Sequence, residues 1–321
     1  MHVMYTIDSR YLIPMLVSAY SLISNGGLKD IHFHIVTSDM NKEDQYLIEY
    51  FLGEFEGVTV DIYHLEDNPI DKYGVPEWRG TQISNARLFF PRIIKERHPE
   101  IKNLLYKDSD TFVKRSLEGL EAFNDFTVCA AKEDIAIKFH YKKELNLDAY
   151  CNSGVIYMNL DKLDYAALER GIKEVIKSNI PLTFPDQDIF NLIFQGSSEL
   201  GILPTRYNLS LYPFIFSGLE FKLFYINRQL SHKEVLVEKE NVIISHSIGM
   251  WGIKYWYDSK VNPLTPDFLD YARRIDPNYE LMELPHMKKL LTSSPELFKL
   301  LLIAKACFLR NVPIGKLLHV K

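Results

Sequence analysis

A basic surplus is missing from this chain. Its 321 residues carry 37 Lys and Arg against 42 Asp and Glu, a formal net charge of -5, which argues against a broad electrostatic grip on nucleic acid. Cysteine is equally scarce: Cys129, Cys151 and Cys307 are unevenly spaced and lack the close pairs of a zinc site, so they read as buried thiols of a reducing cytosol. No uninterrupted apolar run approaches the ~20 residues that cross a bilayer. The opening residues show no charged leader followed by an apolar stretch and a small-residue cleavage site. Internal repeats and low-complexity tracts are absent as well. What remains is a soluble composition, 47% apolar and 25% charged, sufficient to bury one large core or two modest ones. Charge is unevenly placed: residues 286–321 hold seven basic residues against Glu296, a net of +6 that leaves -11 for the rest.

The first half alternates apolar strand-like runs with helical patterns, which predicts a layered α/β sheet with helices on both faces. "HVMYTID", "IHFHIVT", "VTVDIYH", "NLLYK", "FTVCAA", "SGVIYMNL" and "NVIISHS" are the expected strands. Helices are expected over residues 11–24, 41–52, 81–97, 162–178 and in "DQDIFNLIF", with Pro91 an awkward breaker inside the third. Two prolines in "NPLTPD" suggest a boundary near residue 260, dividing a 1–260 catalytic unit from a helical 261–321 region that ends in the basic 286–321 tail.

The chemistry concentrates at strand ends. Asp108 and Asp110, in "LLYKDSDTF", follow an apolar strand one residue apart; on an extended backbone they point the same way and converge on one positive charge. A solvated turn would carry the same pair, but ligands of open α/β sheets sit beyond the carboxyl ends of strands, where this pair falls. Hard divalent ions take oxygen ligands and manganese also accepts imidazole. His246, ending the strand in "VIISHSIGMW", is the best placed of ten histidines, although a buried core histidine would look alike. Gly249 and Gly252 let the backbone approach a phosphate, and Lys254 supplies charge. Asn152 precedes a strand through a Ser-Gly step, where a plain turn asparagine is the alternative. Asp186, Gln187 and Asp188 open a helix, where N-capping would explain them nearly as well.

Taken together, "YTIDSRY", "NARLFFPRI", "LLYKDSDTFVKRSL", "CNSGVIYMNL", "FPDQDIFN" and "HSIGMWGIKYW", in this order from residue 2 to about 256, resemble the glycosyltransferases of family 8. These are retaining enzymes of the GT-A fold that use nucleotide sugars, among them galactosyl- and glucosyltransferases of bacterial lipopolysaccharide and general-stress type. The resemblance implies a Rossmann-like nucleotide-binding sheet followed by a mostly helical C-terminal tail. It also implies that Asp108, Asp110 and His246 hold Mn2+, with Mg2+ as a substitute, against the diphosphate of UDP-glucose or UDP-galactose. Tyr5, Thr6, Asp8 and Tyr11 would line the uridine pocket. Arg87, Asp108 and Ser109 would face the ribose and donor sugar, Asn152, Asp186 and Gln187 would surround the sugar ring, and Gly249 and Lys254 would close over the diphosphate. Three departures stand out: Lys107 where an apolar residue is usual, Arg10 where asparagine is common, and a longer spacing from Gly249 to Lys254, which ends in Lys254-Tyr255-Trp256.

In such an enzyme Gln187, a poor nucleophile, would sit near the reacting face, which favours front-face attack by the acceptor with Asp186 orienting donor hydroxyls. The acceptor would be a saccharide or a glycolipid. "DKYGVPEWRGTQ" offers Trp78 as an aromatic platform for it or as a packing residue, with Arg79 undecided. In "PELFKLLLIAKACFLRN", Lys299 and Arg310 share a helix side with Lys305 roughly 120° around. That basic margin suits an anionic membrane surface at the cytoplasmic leaflet, or equally a core-packed closing helix. Family members acting on lipid-linked saccharides carry comparable tails. Three alternatives remain open: glycogenin-like self-glucosylation, a haloacid-dehalogenase-type phosphatase built on "DSDTF", and a sugar-nucleotide binding module without turnover.

Overall fold

The computed structural model describes residues 1–67, 70–136, 138–225, 228–248, 254–284, 289 and 292–308. Ten strands are seen among them: β1 His2–Ile7, β2 Ile31–Thr37, β3 Val58–His64, β4 Asn103–Lys107, β5 Thr111–Val113, β6 Val128–Lys132, β7 Cys151–Asn159, β8 Leu200–Leu203, β9 Leu209–Ser210 and β10 Ile244–His246. The helices are α1 Leu12–Asn25, α2 Lys42–Gly53, α3 Phe90–Arg97, α4 Lys138–Glu144, α5 Tyr165–Lys177, α6 Pro185–Phe194, α7 Tyr212–Ile215, α8 Gly218–Phe224, α9 His232–Glu240, α10 Thr265–Ile275 and α11 Pro295–Phe308. The expected α/β architecture is present.

Seven strands form the main sheet in the order β3-β2-β1-β4-β7-β6-β8, and β5-β10-β9 form a small second sheet. Within the main sheet β7 alone runs antiparallel to its neighbours β4 and β6. Both faces of the main sheet are covered at its centre, which explains why β1 and β4 read as apolar runs rather than alternating ones. Val3, Tyr5 and Ile7 of β1 pack with Met15, Leu16 and Ala19 of α1, while Met4 packs on the other face with Phe90 of α3 and Ile189 of α6. Burying one such side chain contributes about 1.5–3 kcal/mol. A third cluster joins Val17 and Phe112 to Tyr212, Phe224, Tyr255, Phe268, Phe298 and Leu302, so α10 and α11 close over the small sheet.

Local signals behave as the chemistry requires. Asn41 opens α2 with a reciprocal capping box: its side chain accepts from the Asp44 amide at 2.9 Å, and Asp44 accepts from the Asn41 amide at 3.3 Å. The single helix expected over residues 81–97 is instead a 3-10 turn at Ile83–Leu88 followed by α3. Pro91 falls in the first turn of α3, where a missing N–H costs nothing. "NVIISHS" contributes only the short β10, in the small sheet. In α11, Phe298 and Leu302 are buried and Lys299 pairs with Glu296 at 3.2 Å, the core-packed geometry; Arg310 and the side chain of Lys305 lie outside the described residues. Among the described residues no helix is long and apolar enough to cross a membrane. Cys129 and Cys151 are free and buried.

Candidate active site

The chain leaves the main sheet at Lys107 and enters the small one at Thr111, so Asp108–Asp110 form the turn between the two sheets. They are not extended, contrary to the strand geometry expected for them; convergence comes from the turn, closed by the Thr111 hydroxyl donating to Asp108 O at 2.7 Å. β5 pairs antiparallel with β10 in a register that sets Thr111 opposite His246. Through that register His246 Nε2 comes to 3.1 Å from Asp110 Oδ1 and 3.6 Å from Asp108 Oδ2. Two ligands on adjacent corners of an octahedron around a small divalent ion lie about 3 Å apart, so the spacing fits one.

The tautomer of His246 follows from a chain of amides. The Gly154 N–H donates to Asn152 Oδ1 at 2.8 Å, and that oxygen also accepts from Asn208 Nδ2 at 2.8 Å. Asn208 Oδ1 is thereby turned toward His246 Nδ1 at 2.9 Å, which must carry the hydrogen. Burial lowers the pKa of His246 against the pull of nearby carboxylates, so the ring is neutral. A lone pair on Nε2 then faces two carboxylates, an arrangement that a shared cation relieves. The residues present therefore fit a hard divalent ion. Gly154 makes room for the group: a Cβ there would lie 2.2 Å from His246 Cε1 and 2.8 Å from Asp108 Oδ2.

Around this core sit fixed charges. Arg87, buried, reaches Asp108 Oδ1 at 3.0 Å and Asp186 Oδ2 at 3.1 Å, donates to Ser153 O at 2.8 Å, and stacks over the Tyr106 ring at 4.5 Å. Burial would raise the Asp108 carboxyl, but Arg87, His246, the Tyr106 hydroxyl and Lys254 hold it below its ordinary value. Asp186 shifts upward, its burial outweighing Arg87. Lys254 is in contact with Asp110, and burial pushes its pKa down to about 7.

Gln187 Oε1 accepts from the Ser153 amide at 3.0 Å, and Nε2 donates to Glu133 Oε2 at 2.6 Å. Glu133 is pushed up to about 7 by burial. Asp188 turns away: it accepts from the Thr183 and Phe184 amides at 2.6 and 2.9 Å and from the Tyr150 hydroxyl, and so does the helix-opening work.

Residues 2–260 match the family described as Glycosyl transferase family 8. The chain belongs to that family. It is 26% identical over 218 residues to a lipopolysaccharide 1,2-glucosyltransferase of Escherichia coli, a match covering 64% of this chain and 62% of the relative's length. Its fold superposes on the galactosyltransferase LgtC, solved with donor and acceptor sugar analogs, with a TM-score of 0.65 at 21% identity, covering 89% of this chain and 98% of that one. A glycosyltransferase of Streptococcus pneumoniae TIGR4, GlyE, gives 0.57 at 17% identity over 94% of this chain and 64% of that one. The GT-A fold expected of a family 8 member is thus present, and the phosphatase alternative is set aside.

The remaining residues expected in a family 8 site are placed as follows. Tyr5 is completely buried in the core, its hydroxyl 3.2 Å from Ser18 Oγ. Thr6 Oγ1 lies 3.1 Å from the Tyr106 hydroxyl. Asp8 is paired to Arg10 at 2.6 Å, and Tyr11 meets Trp256 edge-on at 5.5 Å. Ser109 is buried, its carbonyl accepting from the Tyr255 hydroxyl at 3.0 Å. Gly249 and Gly252 lie outside the described residues.

Lys107 is completely buried; its ammonium reaches Ser18 O at 3.5 Å and its pKa falls to about 7. The site also uses residues the motifs did not single out: Ser153, Glu133 and Asn208. Glu133, in "AAKEDIA", follows a strand as Asp108 does and was open to the same rule; Asn208 had no comparable signal.

Proposed function

We propose that this protein is a retaining hexosyltransferase that moves glucose or galactose from UDP to a saccharide or lipid-linked glycan acceptor. The convergence of Asp108, Asp110 and His246 beside the Arg87–Asp186 pair carries the reading. The first three would hold the divalent ion. When bound, manganese (or magnesium) supplies charge neutralisation for the diphosphate that departs as UDP. Lys254 adds a second cation at that side. Arg87 holds Asp108 below its ordinary pKa and fixes the positions of both Asp108 and Asp186, so that Asp186 can orient hydroxyls of the donor ring.

Gln187 is held by Ser153 and Glu133 with its amide toward the same space, and an amide makes no stable glycosyl ester. Acceptor attack on the face from which UDP leaves therefore accounts for retention better than a covalent intermediate does. Trp78 and Phe184, 5.1 Å apart near the start of α6, offer an aromatic edge on which an acceptor sugar can stack. The basic tail favours a cytoplasmic protein held at the inner face of the membrane through anionic lipid; co-sedimentation with anionic vesicles, lost on truncating residues 309–321, tests that extension.

The decisive experiment is hydrolysis of UDP-glucose and UDP-galactose with manganese present and after chelation, followed by acceptor trials. Asp110→Ala should lower turnover at least ~100-fold while the thermal melt persists. Unchanged turnover, or a glycosyl adduct on Asp186 in intact-protein mass spectrometry, would overturn the reading or its front-face step respectively.

A further inference from the structure

At the opposite ends of the same strands, one face of β1, β2 and β3 collects imidazoles. His2 stands beside His32, His34 beside Asp61, and His98 caps α3 above them. His32 Nε2 lies 2.9 Å and His98 Nε2 2.7 Å from one oxygen, Asp61 Oδ2, with His34 Nδ1 3.9 Å from that oxygen. Three nitrogens and one carboxylate oxygen thus close on one point, with ligand atoms all within 4.8 Å of one another. We propose that His32, His34, His98 and Asp61 form a second metal site, selective for Zn2+ or a similar borderline transition ion and separate from the Asp108–Asp110–His246 group.

The chemistry differs between the two places. Zinc takes four ligands at about 2.0–2.1 Å in a tetrahedron, whose edges are then about 3.3 Å. The separations from Asp61 Oδ2 are 2.7, 2.9 and 3.9 Å; His32 and His98 are already near that edge, while His34 Nδ1, which also lies 3.0 Å from the Tyr63 hydroxyl, must come in by about 0.6 Å. A carboxylate oxygen only accepts, so His32 and His98 direct N–H groups at Asp61 in the metal-free protein, and the ion takes the place of those two hydrogens. Outer partners for the ligating rings are in place as well. His34 Nε2 lies 3.1 Å from His2 Nδ1, and His98 Nδ1 lies 3.5 Å from Glu100 Oε1. Each would receive the hydrogen that a ligating imidazole carries on its other nitrogen.

His34 is completely buried, parallel to His32 at 4.4 Å between ring centres, a stacking that two imidazolium ions would resist. An imidazole-rich set prefers zinc, whereas two carboxylates and one imidazole suit a harder ion. The two ligand sets therefore favour different metals. His32 and His34 precede Thr37, the last residue of β2, by five and three positions, about 17 and 10 Å along the strand, so this site lies toward the other end of the sheet and would act on stability of the β1–β3 edge.

The test does not depend on the transferase reading. Full-length protein carrying Asp108→Asn and Asp110→Asn, free of any histidine tag, is titrated with Co2+ and then Zn2+. The expected result is one equivalent of Co2+ with intense visible bands of tetrahedral coordination, displaced by Zn2+, and a raised melting temperature. Adding His98→Gln or Asp61→Asn, both at partly exposed positions, should weaken binding at least ~100-fold. Should either variant melt early, Zn2+ protection of His98 from diethylpyrocarbonate reads the site without substitution. No retained metal, binding indifferent to His98→Gln, or modification of His98 indifferent to Zn2+ would each overturn the proposal.

Discussion

Replacing Gly154 by alanine adds one methyl group and should abolish ion binding at the transfer site. Gly154 lies in β7, where its carbonyl accepts from the Asp108 amide at 2.8 Å, so the backbone there cannot retreat without breaking the β4–β7 pairing. The new carbon would sit 2.2 Å from His246 Cε1, 2.8 Å from Asp108 Oδ2 and 2.8 Å from Asn152 Oδ1. Carbon atoms rest about 3.5–4.0 Å apart, so the imidazole must move by more than about 1.3 Å. A metal ligand tolerates displacements of only about 0.2 Å.

Loss of one ligand should therefore weaken ion affinity at least ~100-fold, or about 2.7 kcal/mol, with turnover falling in parallel. Overpacking a tight site costs about 1–3 kcal/mol of stability, a fall of several degrees in melting temperature rather than loss of the fold. Calorimetric titration of Mn2+ in the presence of UDP, turnover of the UDP-sugar and a circular-dichroism melt measure the three quantities separately. If Gly154→Ala binds Mn2+ within about threefold of the parent chain, well short of the loss expected for a displaced ligand, His246 is not pinned against Asp108 by this strand. The close convergence would then not be the geometry that works.

Three further outcomes are expected. Asn208→Ala removes the acceptor that fixes the His246 tautomer, so the ion concentration for half-maximal turnover should rise about 10–100-fold while turnover at saturating ion largely recovers. Lys107→Met should stabilise the chain by about 1–3 kcal/mol in denaturant unfolding, because it removes an ammonium buried on a single long hydrogen bond; a loss of stability would mean that Lys107 has a counter-charge in solution. Trp78→Ala should raise the acceptor KM about 3–10-fold and leave UDP-sugar hydrolysis unchanged, and an equal loss in both would place Trp78 at the donor instead.

How much of this was legible depended on the range over which each signal acts. The strands β1 and β4 were plain because both faces of the sheet are buried there and burial writes apolar runs into the chain, whereas β3, only partly buried, was read from its alternation. Asp108, Asp110, His246 and Asp186 were legible as chemistry-bearing side chains at element ends. Asn208 was not, since it precedes a strand of only two residues and its role exists solely through contacts to His246 and Asn152. The helices α7 and α8 were likewise missed: "LYPFIFSGLEFKLFY" is apolar nearly all round and shows no periodic stripe. Which face of β1 the Tyr5 ring takes was not legible either, because a motif position says nothing about the direction of its side chain; the ring is buried in the core.

The position of the turn explains why residues so far apart in sequence must all be correct. Asp108 is anchored in the main sheet through Gly154, Asp110 in the small sheet through the Ser247 amide, which donates to its carbonyl at 2.8 Å. A one-residue slip of β10 against β5 would turn His246 to the other side, so the ligand set reports on the docking of the two sheets. That docking is held by Phe112 and Val17 against Phe268, Phe298 and Leu302, none of which touches the site. Among the described residues, those beyond 260 thereby govern the geometry of a centre to which they contribute no side chain, and a core substitution such as Phe268→Ala reaches the chemistry through the register of β10.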